Sequence, residues 1–170
     1  MFAFTPGTSA VPHFTLDSVA AGDQFAFHLD LIPRVDLGAN LAYINEVFAP
    51  LTEAFTAGNA IEGLTPAHLS PKQNAIMSPW MLAKRATGEA FAAIEDSVNT
   101  YRDHWFSLLE QGVSEVAQGD ITAAQLHERN LRNKRIIFDP EVDPVWGRIT
   151  GMIGEEAVAR QRALLIGEDE

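Results

Sequence analysis

Cysteine is absent from the chain. That excludes disulfides, thiolate metal sites and cysteine nucleophiles, and it fits a reducing compartment, the cytoplasm. Basic residues are scarce, 12 Lys and Arg against 23 Asp and Glu, for a formal charge of −11. A surface of that sign repels phosphate backbones and anionic lipid headgroups, so neither nucleic acid nor membrane is expected as a partner. Long apolar runs are missing too, and Met1 to Gly7 lacks the basic start of a secretory signal.

The short motifs that carry mechanism are equally absent. The chain holds no glycine-rich phosphate loop ending in Lys-Ser/Thr, no G-x-G-x-x-G, no G-x-S-x-G and no H-E-x-x-H. No glutamate precedes a histidine by three residues, as a di-iron bundle would require. His13, His28, His68, His104 and His127 never stand three or four apart, the spacing that places two ligands on one helix face. No metal and no cofactor is therefore expected.

What the chain does have is apolar material, 46% of its 170 residues. That suffices for one core and one domain spanning residues 1–170. At the head of a plausible helix, Ser, Thr or Asp precedes Pro at Thr65, Ser70, Ser78, Asp139 and Asp143. Each pair is a helix-start signal, because the side-chain oxygen caps an orphan N–H while proline occupies a turn that needs none.

A first helix is expected from Asp36 to Gly58, with Leu37, Leu41, Ile44, Phe48, Leu51 and Phe55 on one stripe. Pro50 lies inside it and should kink or break it near Glu46. A second helix starts at Ser78-Pro79 and places Phe91, Ile94, Val98, Tyr101, Trp105 and Leu108 at steps of three and four. A third begins at Asp120 or Thr122, where Thr122 and Gln125 have capping-box spacing, and runs to about Lys134. A fourth starts at Asp143-Pro144 and carries Trp146, Ile149, Ile153, Ala157 and Leu164 despite three glycines. Between the first two, residues 58–78 should hide short helical turns after Thr65 and Ser70.

Phe25, Phe27, Leu29 and Leu31 alternate with Ala26, His28, Asp30 and Ile32, as in a half-buried strand, while Phe25, Leu29 and Ile32 also fit a helix ending at Pro33. A strand needs a partner. Arg135 to Phe138 is the other short candidate, and a second copy of the chain is the alternative.

These features compose a mainly α fold, an antiparallel bundle of about four helices over residues 36–166. An apolar, extended or short-strand arm at 1–35 precedes it, and a frayed acidic tail at 167–170 follows. The expected function is that of a non-catalytic interaction or structural protein that self-associates, or binds another protein, through Phe25, Phe27, Leu29 and Leu31. The alternative is a small helical-bundle enzyme or ligand-binding protein. Its pocket would lie near Tyr101, Asp103 and His104, roofed by residues 58–78, with general acid–base groups at hand. Arg129, Arg132, Lys134 and Arg135 form a basic island on an acidic molecule. The helix dipole explains basic residues in a last turn, and an acidic partner or a bound anion are the other readings.

Overall fold

The computed structural model describes residues 1–167. The expected acidic tail falls outside these, apart from Gly167. Its organising element is a five-stranded antiparallel sheet in the order β1-β2-β3-β5-β4. The strands are β1 (Phe2–Ala3), β2 (His13–Ala21), β3 (Gln24–Ile32), β4 (Leu64–Pro66) and β5 (Leu82–Thr87). The molecule is thus α/β, and the expected all-helical bundle is overturned.

The hairpin β2–β3 turns at Gly22 and Asp23, with Gly22 at φ 65° where only glycine is unstrained. This turn sets Ala21 opposite Gln24 and, by register, Asp17 opposite His28 and His13 opposite Ile32. Residues 1–35 are therefore no free arm. The strand Gln24–Ile32 finds its partners in β2 and β5, while Arg135, Ile136 and Ile137 belong to a helix.

Period-two alternation sends Phe27, Leu29 and Leu31 to one face of the sheet, where they are buried with Phe14, Leu82 and Ala86. Phe25, on the same face, stacks on Phe91 with ring centroids 4.6 Å apart. The four side chains expected to seek another subunit are thus packed within their own chain.

That face is covered by α1 (Leu41–Tyr43), α2 (Thr52–Ala60), α4 (Gly88–Ala92), α5 (Glu95–Gln111) and α6 (Glu115–Gln118). Asn40, not Asp36, caps the first helical segment: its Oδ1 accepts from Tyr43 N at 2.9 Å. Pro50 interrupts the regular α-helix, as expected. The segment passes from α1 through a π turn (Ile44–Phe48) and a 3-10 turn (Ala49–Leu51) into α2. These changes of pitch rotate the stripe, so that Tyr43, Val47, Phe48 and Leu51 are buried while Leu41 is 69% exposed. In α5 the expected seam survives at Ile94, Tyr101, Trp105 and Leu108. Its anticipated first turns do not: Ser78-Pro79 is a turn, and the next residues form β5.

The opposite face is covered by α3 (Pro71–Ile76), α7 (Ala123–Ile137), α8 (Val145–Ile153) and α9 (Glu155–Ile166). Ile32, Ile137, Phe138, Trp146, Val158 and Ile166 form a second core there, with Phe2 and Phe4 packed against it. Capping boxes at Ser70/Gln73 and Thr122/Gln125 start α3 and α7. Gly154, at φ 86°, splits the expected fourth helix into α8 and α9. Among the described residues no helix is long and apolar enough to cross a membrane.

Candidate functional site

The second helical layer leaves the β2–β3–β5 end of the sheet incompletely covered. A cleft opens there, with about 810 Å³ of empty space counting its mouth. Its floor is Asp17, Val19, Ala26, His28 and Ala83; Phe2, Ile76, Met77, Ile137 and Val142 supply apolar walls, and Asp143 closes one side. Mostly apolar walls with a few convergent polar groups are the usual make-up of a small-molecule site.

His28 is the central polar group. Its Nδ1 lies 3.7 Å from Asp17 Oδ2, the side chain directly across the hairpin. Its Nε2 is buried and has no hydrogen-bond partner, a costly condition for a polar atom. Asp143, between α7 and α8, accepts from Val145 N through Oδ1 at 3.0 Å. Burial, reinforced by the Asp17 charge, raises its pKa, with Val145 N and His28 opposing. Asp30, two residues beyond His28 on the same face, is fully buried and accepts from Ser78 N at 2.8 Å and from the Ser78 hydroxyl. Burial pushes its carboxyl up to about 6, although His28 and the Ser78 bonds favour the charged form. Asp17, His28 and Asp143, which line the cleft, can accept or donate hydrogen bonds to a ligand in it. Among the described residues no cluster of His, Asp and Glu could hold a metal ion.

The residues singled out earlier lie elsewhere. Tyr101 is buried on the other side of the sheet, its hydroxyl donating to Trp80 O at 2.6 Å. Burial pushes its phenol above the ordinary range. Asp103 is exposed and pairs with Arg102 at 2.8 Å. His104 Nε2 donates to Val47 O at 2.8 Å, tying α5 to the π turn. The three do not converge on one space. Of the basic island, Lys134 sits 4.5 Å above the Phe4 ring and Arg135 lies in the last turn of α7. Arg132 pairs with Glu128. The signal in the sequence for Asp17 and His28 is the turn Gly22-Asp23, which sets the hairpin register and places them opposite each other; no local signal places Asp143 beside them.

No family model matches the chain, and no curated protein matches it. Among solved structures it is similar to the crystal structure of SeMet-phytochromobilin synthase from tomato in complex with biliverdin, with a TM-score of 0.75 at 18% identity. The chain shares the fold of phytochromobilin synthase. The match covers 97% of this chain and 58% of that one, so the chain spans little more than half the length of the phytochromobilin synthase chain. The likeness overturns the reading of a non-catalytic helical structural protein, which rested on a bundle that does not form.

Proposed function

We propose that the chain is a ligand-binding protein whose cleft takes a flat, largely apolar molecule with polar edges, biliverdin or a compound of that shape. The observation that carries this reading is the buried, unpartnered Nε2 of His28 in an otherwise apolar cleft, flanked by Asp17 and Asp143. Apolar walls bury the face of such a ligand, and the imidazole bonds to its polar edge. The neighbour with the same fold is described in complex with biliverdin, which makes this pigment the first probe.

The test is an absorbance and induced circular dichroism titration of the purified chain with biliverdin. The wild type should shift the pigment's spectrum and saturate at one equivalent. His28→Ala should weaken binding by about tenfold, the equivalent of one hydrogen bond in a site closed to water. Ala83→Trp, which fills the floor beside His28, should abolish it. An unchanged spectrum with excess pigment, or equal affinity for Ala83→Trp, would refute the proposal.

A further inference from the structure

A second cleft lies between α3 and α7, divided from the first by Ile76, which contributes to both. Arg129, Arg132, Asn133 and Gln125 line it from one face of α7, with Pro33 and Ile76 as its apolar wall. Two buried polar atoms here have no hydrogen-bond partner, Arg129 Nε and Asn133 Oδ1. Arg129 also has no carboxylate partner among the described residues. On a chain of net charge −11, a guanidinium left this way is unexpected.

We propose that this cleft binds a small oxyanion, a carboxylate or phosphate group, through the guanidinium groups of Arg129 and Arg132.

Behind Arg129 lies Arg34, fully buried and in polar contact only with neutral groups: Thr5 Oγ1 at 3.1 Å, Gly7 O at 2.8 Å, Leu126 O at 3.1 Å and the His13 ring at 3.2 Å. Burial, opposed by Tyr43 and aided by the charge of Arg129, lowers the Arg34 pKa to about 10. Two like charges thus face each other without a counter-charge, and an anion in the cleft relieves both. A planar fork of N–H donors suits the oxygens of carboxylate and phosphate alike. Rotation of the Asn133 amide presents its NH2 group to the same space. Glu128 is the opposing group: it lines the cleft and pairs with Arg132, leaving the lining with one net positive charge. The helix dipole accounts for Lys134 and Arg135 in the last turn of α7, but Arg129 lies well before it.

The experiment follows the Arg Nε–Hε resonances of the wild-type chain by NMR at constant ionic strength, during separate titrations with inorganic phosphate and with succinate. The Arg129 signal should shift and saturate with at least one probe, and the stronger probe identifies the class of anion. Calorimetry on Arg129→Gln should show binding weakened by about tenfold or more, as loss of a charge-assisted bond requires. Glu128→Gln should tighten it. A shift spread evenly over all arginines, or phosphate and succinate affinities unchanged in both variants, overturns the proposal. Biliverdin binding should survive in Arg129→Gln, so failure here and failure at the first cleft are separate outcomes.

Discussion

His13 Nε2 and Asn130 Oδ1 lie 3.1 Å apart although 117 positions separate them in sequence. On the other side of the ring, Nδ1 accepts from Thr5 N at 3.1 Å. The imidazole is therefore neutral with its proton on Nε2, and it joins the loop after β1, β2 and α7. A charged ring would direct an N–H at the Thr5 N–H. Burial first, and the neighbouring Arg34 second, lower its pKa to about 3. Asn130→Ala should destabilise the chain by about 1–3 kcal/mol, because it leaves the ring N–H buried without an acceptor. Urea unfolding of the two proteins measures this directly.

Two buried groups give the pH profile opposite slopes. Unfolded His13 takes up a proton near 6.5 while the folded ring resists until about 3, so its contribution falls as pH drops through that window. Folded Asp30 holds a proton up to about 6 against 3.8 when unfolded. Its contribution is complete below 3.8 and is lost as pH rises through about 6. Removing Asp30 with Asp30→Asn should therefore leave the His13 loss uncompensated. Relative to wild type, the variant should lose about 1.4 kcal/mol per pH unit on acidification across the Asp30 window, and nothing further at higher pH. Chemical denaturation at several pH values checks it; parallel profiles for the two proteins would contradict the assignment.

His104 supports the irregular turn that Pro50 imposes. Its Nε2 bonds the Val47 carbonyl at 2.8 Å inside the π segment, so His104→Ala should cost about 1–2 kcal/mol. Calorimetric melting should detect the loss while biliverdin binding stays unchanged, since the residue lies across the sheet from the cleft.

Two helical glycines should respond oppositely to alanine. A Cβ at Gly58 in α2 would meet Leu82 Cδ1 at 2.7 Å and Ser97 Oγ at 3.0 Å, at the junction with β5 and α5. Gly58→Ala should destabilise by about 1–3 kcal/mol through overpacking. Gly147 in α8 has no atom within 4 Å of such a carbon, and Gly147→Ala should stabilise by about 0.5–1 kcal/mol through helix propensity alone. Opposite shifts in melting temperature would support the packing of α2; stabilisation by both would refute it.

Local chemistry in the sequence determined the start of α7 at Thr122, the start of α3 at Ser70, the interruption at Pro50 and the buried seam of α5 from Ile94 to Leu108. Caps, proline sterics and side-chain periodicity act over a few residues, so they are legible along a line. Residues 82–87 were not: Leu-Ala-Lys-Arg-Ala-Thr has no strong local preference, and it is extended because β3 and β4 lie on either side of it. The same holds for the cleft. Asp17 and His28 meet through hairpin register, Asp143 reaches them only because α7 and α8 fold over the sheet, and the unpaired state of His28 Nε2 depends on which atoms fail to arrive. Tertiary structure decided the site because burial and unmet hydrogen bonds are properties of assembled surfaces, which no short stretch of chain possesses by itself.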